Sequence, residues 1–148
     1  MIFDDLTPEE MKAVEAAGVL RTFVKDELLL TERQPGDSFF LLLEGRVEVR
    51  KMMDIGQYRR LAELGPCDVV GEICFLGQPN RSASVIALSA GSALEFSRES
   101  FARLVAHNPL IGLKSYRGLA RELGRRLAQL DDDLRDALMW AISQTSGK

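Results

Sequence analysis

The first pattern along the chain is helical and lies at the amino-terminal end. Met11, Val14 and Ala17 recur three apart, which places them on one face of a helix. Thr7, followed by a proline and two glutamates, is typical of a helix start, with threonine as the N-cap and proline in the first turn. Residues 1–18 are therefore predicted to form an amino-terminal helical segment.

The second pattern is a series of short strands. Runs rich in β-branched and aromatic residues are separated by turn sequences, such as Pro-Gly-Asp at residues 35–37. In residues 46–50, apolar and polar side chains alternate, as in a strand with one buried face. The predicted strands are 19–24, 27–31, 38–43, 46–52, 58–64, 82–88 and 93–97. Strands of this length and spacing predict an antiparallel jelly-roll β-domain over residues 19–97.

The helical period returns at the carboxyl-terminal end. A short helix is predicted around Phe101, Leu104 and Val105, and a longer one follows, so that helices span residues 98–142 and the last residues fray. Apolar residues of the longer helix recur at steps of three and four: Tyr116, Ala120, Leu123, Leu127, Leu130, Leu134, Ala137 and Ala141. A stripe of this length favours a coiled-coil seam and a homodimer, the alternative being a helix that lies on its own β-domain.

Length and composition favour one globular domain over residues 1–148, of the α+β class and mainly β. The chain carries 46% hydrophobic and 28% charged residues and a formal net charge of −3. Because basic residues are not concentrated in an acidic chain, direct DNA binding is not expected. Neither a signal peptide nor an apolar run long enough for a membrane span is visible, so a cytoplasmic protein is expected.

Catalysis and metal binding are not indicated by the residues present. The chain has a single histidine, whereas metal-dependent jelly-roll enzymes need clustered histidine and carboxylate ligands. It contains no nucleophile elbow, P-loop or dinucleotide-binding glycine motif. Cys67 and Cys74 lack companions at ligand spacing and are interpreted as reduced thiols. We therefore expect no enzymatic activity, no catalytic residue, no bound metal and no cofactor.

The candidate binding residues lie between two predicted strands. Arg81 follows Glu72 by nine residues, and its guanidinium offers a bidentate fork to the two exocyclic oxygens of a phosphate. Ser82 adds a hydroxyl donor beside it. A carboxylate repels phosphate, so the useful role of Glu72 is to accept a hydrogen bond from a sugar hydroxyl. The three residues point to a ligand with both a phosphate and a free hydroxyl.

Gly-Glu at residues 71–72, followed by Arg-Ser-Ala-Ser-Val at residues 81–85, resembles the phosphate-binding cassette of the cyclic nucleotide-binding domain family. That family includes bacterial catabolite activator proteins, protein kinase A regulatory subunits and cyclic nucleotide-gated channels. Residues 35–40, 45–49 and 64–66 resemble the family's Gly-Asp turn, its Gly-x-Val-x-Val strand and the lead into the cassette. The resemblance covers nearly the whole chain and implies a jelly-roll domain that binds cAMP or cGMP.

The resemblance implies a role for each residue of the cassette. Glu72 matches the position that accepts the ribose 2′-hydroxyl, Arg81 the position that neutralises the cyclic phosphate, and Ser82 a side-chain contact to that phosphate. The other expected ligand-binding residues are Gly71, Ile73 and Cys74 through their backbone, Ala83, and Arg126 of the long helix. Arg126 is expected to stack on or hydrogen-bond the base, the alternative being a solvated flank of the coiled coil. The chain departs from the family pattern at Cys67, Val70, Cys74 and Phe75.

The sequence thus predicts a cyclic nucleotide sensor in which binding moves the carboxyl-terminal helix, with an unidentified effector protein as the partner that responds. Ser82 favours cAMP, because the resemblance associates threonine at this position with a preference for cGMP. Two alternatives remain. One is an interaction or dimerisation module that kept the fold and lost its ligand, and the other is a fragment of a transcription regulator of the catabolite-activator type.

Overall fold

The computed structural model describes residues 2–147, except for the side chains of Cys74 and Phe75. Within that range the chain forms three α-helices, eight β-strands and one short 3-10 helix. The helices are α1 (Pro8–Ala17), α2 (Arg98–His107) and α3 (Pro109–Ser146). The strands are β1 (Val19–Phe23), β2 (Leu28–Leu30), β3 (Ser38–Glu44), β4 (Val47–Asp54), β5 (Gln57–Leu64), β6 (Val69–Val70), β7 (Ser84–Ala87) and β8 (Gly91–Ser97). Glu72–Leu76 forms the 3-10 helix, called the cassette helix below.

The amino-terminal helix begins where the sequence predicted. Thr7 is the N-cap of α1, and its hydroxyl accepts a hydrogen bond from the Glu10 N–H at 3.2 Å. In return, the Glu10 carboxylate accepts a hydrogen bond from the Thr7 N–H at 2.9 Å. This reciprocal capping box satisfies two donors, one of them an amide that the first turn of the helix leaves unpaired.

The strands form two four-stranded sheets. The first has the order β1-β8-β3-β6 and the second the order β2-β7-β4-β5. Every neighbouring pair is antiparallel. The two sheets share a core of apolar side chains between them. The predicted jelly roll, in an α+β chain that is mainly β, is therefore confirmed.

Several strand bounds differ from the prediction by one or two residues, and two differences lie beside the candidate binding residues. β6 is two residues long, too short to show an alternating period, and it exists because it pairs with β3. β7 begins at Ser84 rather than at residue 82. Residues 81–83 therefore precede the strand and lie in the loop after the cassette helix.

Strand β3 of the first sheet is buried on both faces over residues 39–42. Along β3, Phe39 and Leu41 pack toward the helices, whereas Phe40 and Leu42 pack toward the second sheet. Successive side chains of a strand point to opposite faces. Burial on both faces explains why this run is apolar throughout instead of alternating with polar residues.

Aromatic side chains join the first sheet to the helices. Phe39 stacks on Phe96 with the ring centroids 4.9 Å apart, and it meets the edge of Phe101 at 5.4 Å. Phe101 belongs to α2 and in turn meets the edge of Tyr116 in α3 at 6.5 Å. This chain of rings fixes both helices on the sheet.

α3 packs against the rest of the domain only in its first half. Ile111, Ser115 and Leu119 are buried, and Leu123 is partly buried against the same cluster. From residue 127 to residue 147 every residue is exposed. The alternative of a helix that lies on its own β-domain therefore holds for the first half of α3 and fails for the second.

The carboxyl-terminal boundary of α3 also differs from the prediction. Fraying was expected after residue 142, but the helix continues to Ser146. The hydroxyls of Ser143 and Thr145 donate to carbonyls of the preceding turn at 2.7 and 2.9 Å. Despite its length, α3 is too polar to cross a membrane, and no other helix in the described part of the chain is long and apolar enough.

Replacing Phe96 with alanine should lower the free energy of unfolding by about 3–5 kcal/mol, because it leaves a cavity between Phe39 and Phe101. Phe96 is 0% exposed. The control is Ile55→Ala, at a residue that is 95% exposed, which should change the free energy by less than about 0.5 kcal/mol. Urea denaturation measures both. Equal losses in the two variants would contradict the packing described here.

Candidate functional site

The cassette helix is framed by two glycines in the left-handed conformation. Gly71 precedes it with φ of 84°, and Gly77 follows it with φ of 90°. Residues with a Cβ rarely adopt such angles. The two turns allow a short helix to fit between β6 and the returning loop, and they make Glu72 its first residue.

The loop after the cassette helix returns Arg81 to the side of Gly71. The Arg81 N–H donates to the carbonyl of Gln34, and the Arg33 N–H donates to the carbonyl of Arg81, both at 2.8 Å. In the guanidinium, Nη1 donates to the carbonyls of Ser38 at 2.6 Å and Gly71 at 3.3 Å, while Nη2 donates to the Ser38 hydroxyl at 3.2 Å. These contacts hold the guanidinium beside the start of the cassette helix.

Glycine on two sides makes room for this guanidinium. A Cβ built on Gly36 would overlap the Arg81 side chain, and one built on Gly71 would lie 2.9 Å from Nη1. Because close-packed atoms do not tolerate such approaches, larger residues at either position would displace the guanidinium. The Pro-Gly-Asp turn at residues 35–37, interpreted from the sequence as structural, therefore also shapes the place of Arg81.

Glu72 is buried and paired with a cation from α3. Its side chain is 7% exposed, and its Oε1 accepts a hydrogen bond from Nη1 of Arg126 at 2.5 Å. Arg126 also donates through Nε to Glu122 at 3.1 Å, one turn earlier in the helix. A buried carboxylate without a partner would cost several kcal/mol. The pair therefore ties the cassette to α3.

Glu122 is held in its charged form by two arginines. Hydrogen bonding from Arg125, and then from Arg126, lowers the pKa of Glu122 below its ordinary value of 4.5. Nη2 of Arg125 lies 2.7 Å from the Glu122 carboxylate. Since a charged Glu122 accepts from Nε of Arg126, it leaves the far end of that guanidinium directed at Glu72.

These groups border a cavity of about 80 Å³ with an aliphatic wall. The lining residues are Leu30, Val49, Leu64, Val69, Val70, Gly71, Glu72, Ile73, Arg81, Ser82, Ala83, Val85 and Arg126. Across the described residues, no three His, Cys, Asp or Glu side chains come together to hold a metal ion. The cavity therefore offers guanidinium donors, one carboxylate acceptor and an apolar surface, a combination that suits an organic anion with a hydroxyl group and a flat ring.

The structure brings the predicted residues together. Those that line the cavity are Gly71, Glu72, Ile73, Arg81, Ser82, Ala83 and Arg126. The side chain of Cys74 lies outside the described residues, and its main chain belongs to the cassette helix. Arg126 contacts the cassette, so the interpretation of this residue as only a solvated flank was wrong.

The sequence did not predict the contributions of Gly36, Ser38, Lys51 and Glu122. Glu122 stands four residues before Arg126, which is the spacing of a helical ion pair, so a signal for it was available. Lys51 donates to the Ser82 carbonyl at 3.3 Å from β4, and Ser38 reaches the guanidinium from β3. Contacts between a strand and a loop that are distant in sequence leave no local signal.

Comparison with known proteins agrees with this geometry. Residues 20–108 match the family model of the cyclic nucleotide-binding domain. The chain belongs to this family. The family resemblance seen in the cassette is therefore confirmed, and the chain is a cyclic nucleotide-binding domain of the type found in catabolite activator proteins, a class of regulatory proteins.

Relatives show how far the likeness extends. The domain is 30% identical over 133 residues to the cyclic AMP receptor protein of Thermus thermophilus, a match that covers 90% of this chain and 60% of that protein. The catabolite activator protein structure from Thermus thermophilus superposes with a TM-score of 0.80 at 30% identity, over 90% of this chain and 61% of the other. A cyclic nucleotide-binding domain from Methylobacillus flagellatus gives 0.79 at 29% identity, over 88% and 74%. The chain thus spans about 60% of the length of the Thermus relative.

The lowered pKa of Glu122 predicts an acid-dependent difference between the domain and its Glu122→Gln variant. Because the folded-state pKa is depressed, the carboxylate contributes stability above its unfolded pKa near 4.5, and this contribution is lost as the pH falls through the folded value. The free energy of unfolding, measured with urea across this range, should favour the wild type at neutral pH. The gap, which is the difference in the free energy of unfolding between the wild type and Glu122→Gln, should close on acidification. A gap that stays constant with pH would contradict the assignment.

Proposed function

We propose that this domain binds a 3′,5′-cyclic nucleotide, with cAMP preferred, and acts as a sensor that couples binding to α3. The observation that carries the proposal is the convergence of Glu72, Arg81 and Arg126 on one cavity with an aliphatic wall. The nucleotide is a ligand in this proposal, and neither a cofactor nor a catalytic step is part of it.

The charges around the cavity support a ligand with one negative charge. Among the residues that line the cavity, Arg81 and Arg126 contribute two positive charges and Glu72 one negative charge, which leaves a balance of one positive charge. Outside the lining, the charges of Glu122 and Arg125 offset each other. A cyclic phosphate diester carries a single negative charge and matches that balance. Because Arg126 already neutralises Glu72, the carboxylate can remain charged in the same cavity without repelling the phosphate.

Each polar group has a separate part of the ligand to contact. Arg81 exchanges its contact with the Ser38 hydroxyl for the exocyclic oxygens of the phosphate, and Ser82 donates its hydroxyl to the same group. Oε1 of Glu72 accepts a hydrogen bond from Arg126, and its second carboxylate oxygen accepts one from the ribose 2′-hydroxyl. The main chains of Gly71, Ile73, Cys74 and Ala83 border the sugar and the phosphate.

The base is proposed to lie on the aliphatic wall formed by Leu30, Val49 and Leu64, under Arg126. A guanidinium stacks well on a purine face. Ser82 supports adenine over guanine, because the family associates threonine at this position with cGMP. The name of the Thermus relative, cyclic AMP receptor protein, supports the same choice.

The size of the cavity supports coupling to α3. About 80 Å³ is small beside the roughly 300–1,000 Å³ typical of ligand sites. Arg126 lines the cavity from the α3 side, so a nucleotide enters while this side chain is displaced, and its pair with Glu72 forms again over the bound ligand. The ligand then stabilises the position of α3 in which both fit, which is a shift of population between two conformations.

Replacing Arg81 with alanine should weaken cAMP binding by about 2–5 kcal/mol, because the buried phosphate loses its charged partner. Glu72→Gln should cost less, about 1–3 kcal/mol, the range for a hydrogen bond to a charged group. Calorimetric titration of refolded, nucleotide-stripped protein with cAMP and with cGMP measures both effects and the preferred base.

The matched control for this titration is Arg59→Ala. Arg59 is exposed on β5 and does not line the cavity, so its removal changes the net charge by the same amount. Equal affinity in the wild type and in Arg81→Ala would contradict the phosphate assignment. Absence of binding to either nucleotide would favour the alternative of an interaction module without a ligand.

We further propose that the domain forms a homodimer through α3. Six of its exposed apolar side chains share one face and form a stripe: Leu113, Tyr116, Leu127, Leu130, Leu134 and Leu138. From residue 113 to residue 142 the helix is about 45 Å long. Leu127 and Leu134 are each about 60% exposed, although burial of such a side chain is worth roughly 1.5–3 kcal/mol. A second copy of α3 is the partner that fits a stripe of this length.

Placing a charge in this stripe should dissociate the dimer. Leu134→Asp should raise the dimer dissociation constant more than about 100-fold, because the interface cannot bury an unpaired carboxylate. Met139→Asp is the matched control, since residue 139 lies on a different face of the same exposed segment. Sedimentation velocity distinguishes dimer from monomer. A monomeric wild type, or equal effects of the two variants, would contradict the seam, as would a stable dimer after truncation at Leu127.

A further inference from the structure

The segment before α1 crosses α3 at a glycine. Ile2 is buried in the cluster between the first sheet and the helices. A Cβ built on Gly118 would overlap the Ile2 carbonyl oxygen and lie 2.7 Å from its carbonyl carbon. The two backbones are therefore in direct contact at this point, and no residue with a side chain fits in place of Gly118 without moving one of them. We call residues 2–5 the strap.

Charged contacts fasten the strap beside this crossing. The Asp5 carboxylate lies 2.6 Å from Nη2 of Arg121 and 3.4 Å from Nε of Arg117. One turn into α1, the Glu10 carboxylate lies 2.6 Å from Nζ of Lys114. These three basic residues are spaced by three and four along α3, so they form one row on the helix.

The strap, α3 and the cassette meet around a second, smaller cavity. This cavity of about 30 Å³ is lined by Ile2 and Phe3 of the strap, Ser115 and Leu119 of α3, and Glu72 of the cassette, among others. Glu72 therefore faces the strap and α3 on one side and the larger cavity on the other. The strap contacts α3 two turns before Arg126, the residue that pairs with Glu72.

The length of the helix converts a small shift at the strap into a larger one at Arg126. Gly118 lies nine residues beyond Pro109, where α3 begins, and Arg126 lies 17 residues beyond it. If α3 tilts about its first turn, the displacement at Arg126 is about twice that at Gly118. A shift on the order of 1 Å at the crossing becomes about 2 Å at the guanidinium, which is enough to break its hydrogen bond to Glu72.

We propose that the strap sets the angle of α3 at which Arg126 reaches Glu72, which makes Asp5 and Gly118 positioning residues for nucleotide binding. The inference rests on the proposed function, because nucleotide affinity is its main readout. Neither residue lines the larger cavity. They act on the ligand through Arg126, whose pairing with Glu72 keeps the charge of the cavity matched to the phosphate.

Two pairs of variants of the full chain test this proposal. Gly118→Ala is compared with Gly124→Ala, because both remove a glycine from α3 and a Cβ at Gly124 meets no atom within 4 Å. Asp5→Asn is compared with Glu15→Gln, which removes the same charge at an exposed position of α1. Affinity for cAMP is measured by calorimetry. We expect Gly118→Ala to weaken binding about tenfold and Asp5→Asn about threefold, while both control variants bind like the wild type.

The same variants in an Arg126→Gln background separate a positioning role from a general structural one. If the strap acts through Arg126, the effects of Gly118→Ala and Asp5→Asn on affinity disappear once Arg126 is replaced. Equal effects in both backgrounds would overturn the proposal, as would unchanged affinity in both strap variants. Asp5→Asn leaves the backbone contact at Gly118 intact, so it keeps the test valid if Gly118→Ala fails to fold.

A measurement without nucleotide distinguishes failure of the strap from failure of the proposed function. The interaction energy between Glu72 and Arg126, called the coupling below, is obtained by urea unfolding of the wild type, Glu72→Gln, Arg126→Gln and the double variant. The same four proteins are then measured with Asp5→Asn added to each. We expect a measurable interaction energy between Glu72 and Arg126 when Asp5 is present, and its loss when Asp5 is replaced by asparagine. If the wild type binds no cyclic nucleotide, the proposed function fails, and this coupling still decides the role of the strap. Persistence of the coupling in Asp5→Asn would overturn it.

Discussion

The buried carboxylate of Glu72 is the interaction on which the arrangement of this domain depends. A carboxylate removed from water needs a partner, since an unpaired one costs several kcal/mol. Its partner, Arg126, comes from α3, 54 residues away in the sequence. The cassette and α3 are therefore linked by an ion pair, and removal of Arg126 would leave the Glu72 carboxylate buried and unpaired. Apolar packing brings the first half of α3 onto the β-roll, and this pair then joins the end of that half to the cassette and sets the charge balance of the cavity.

Features encoded within a few residues were predictable from the sequence. The start of α1 at Thr7 and the existence of β4 are encoded locally, so composition and spacing reveal them. Glu72 and Arg81 were predicted as a pair because their chemistry is complementary to different parts of one ligand. The structure places both on the cavity for which they were expected.

Features that depend on distant segments were not predictable in the same way. Successive residues of a helix point about 100° apart, so Arg126 was predicted through the family resemblance rather than from spacing, and its ion pair with Glu72 was not predicted. In the structure Arg126 contacts Glu72, whereas the Arg125 side chain is 66% exposed. Cys67 is another example, since it adopts the left-handed φ of 74° that glycine prefers. The departure from the family at this position therefore preserves the shape of the turn.

α3 contacts the strap and the cassette and leaves a third face exposed. A change at one of these contacts can therefore reach another through the helix. The strap and the cassette contact the helix on separate sides, which determines the face that stays exposed and available to a second copy. Arg126 is the last partly buried residue before the exposed segment 127–147. A ligand can shift α3 only as far as its contacts differ between the two positions of the helix. In the proposed function, Glu72 keeps Arg126 as a partner and gains the ribose 2′-hydroxyl on binding, so part of the energy that favours one position of α3 would come from this carboxylate.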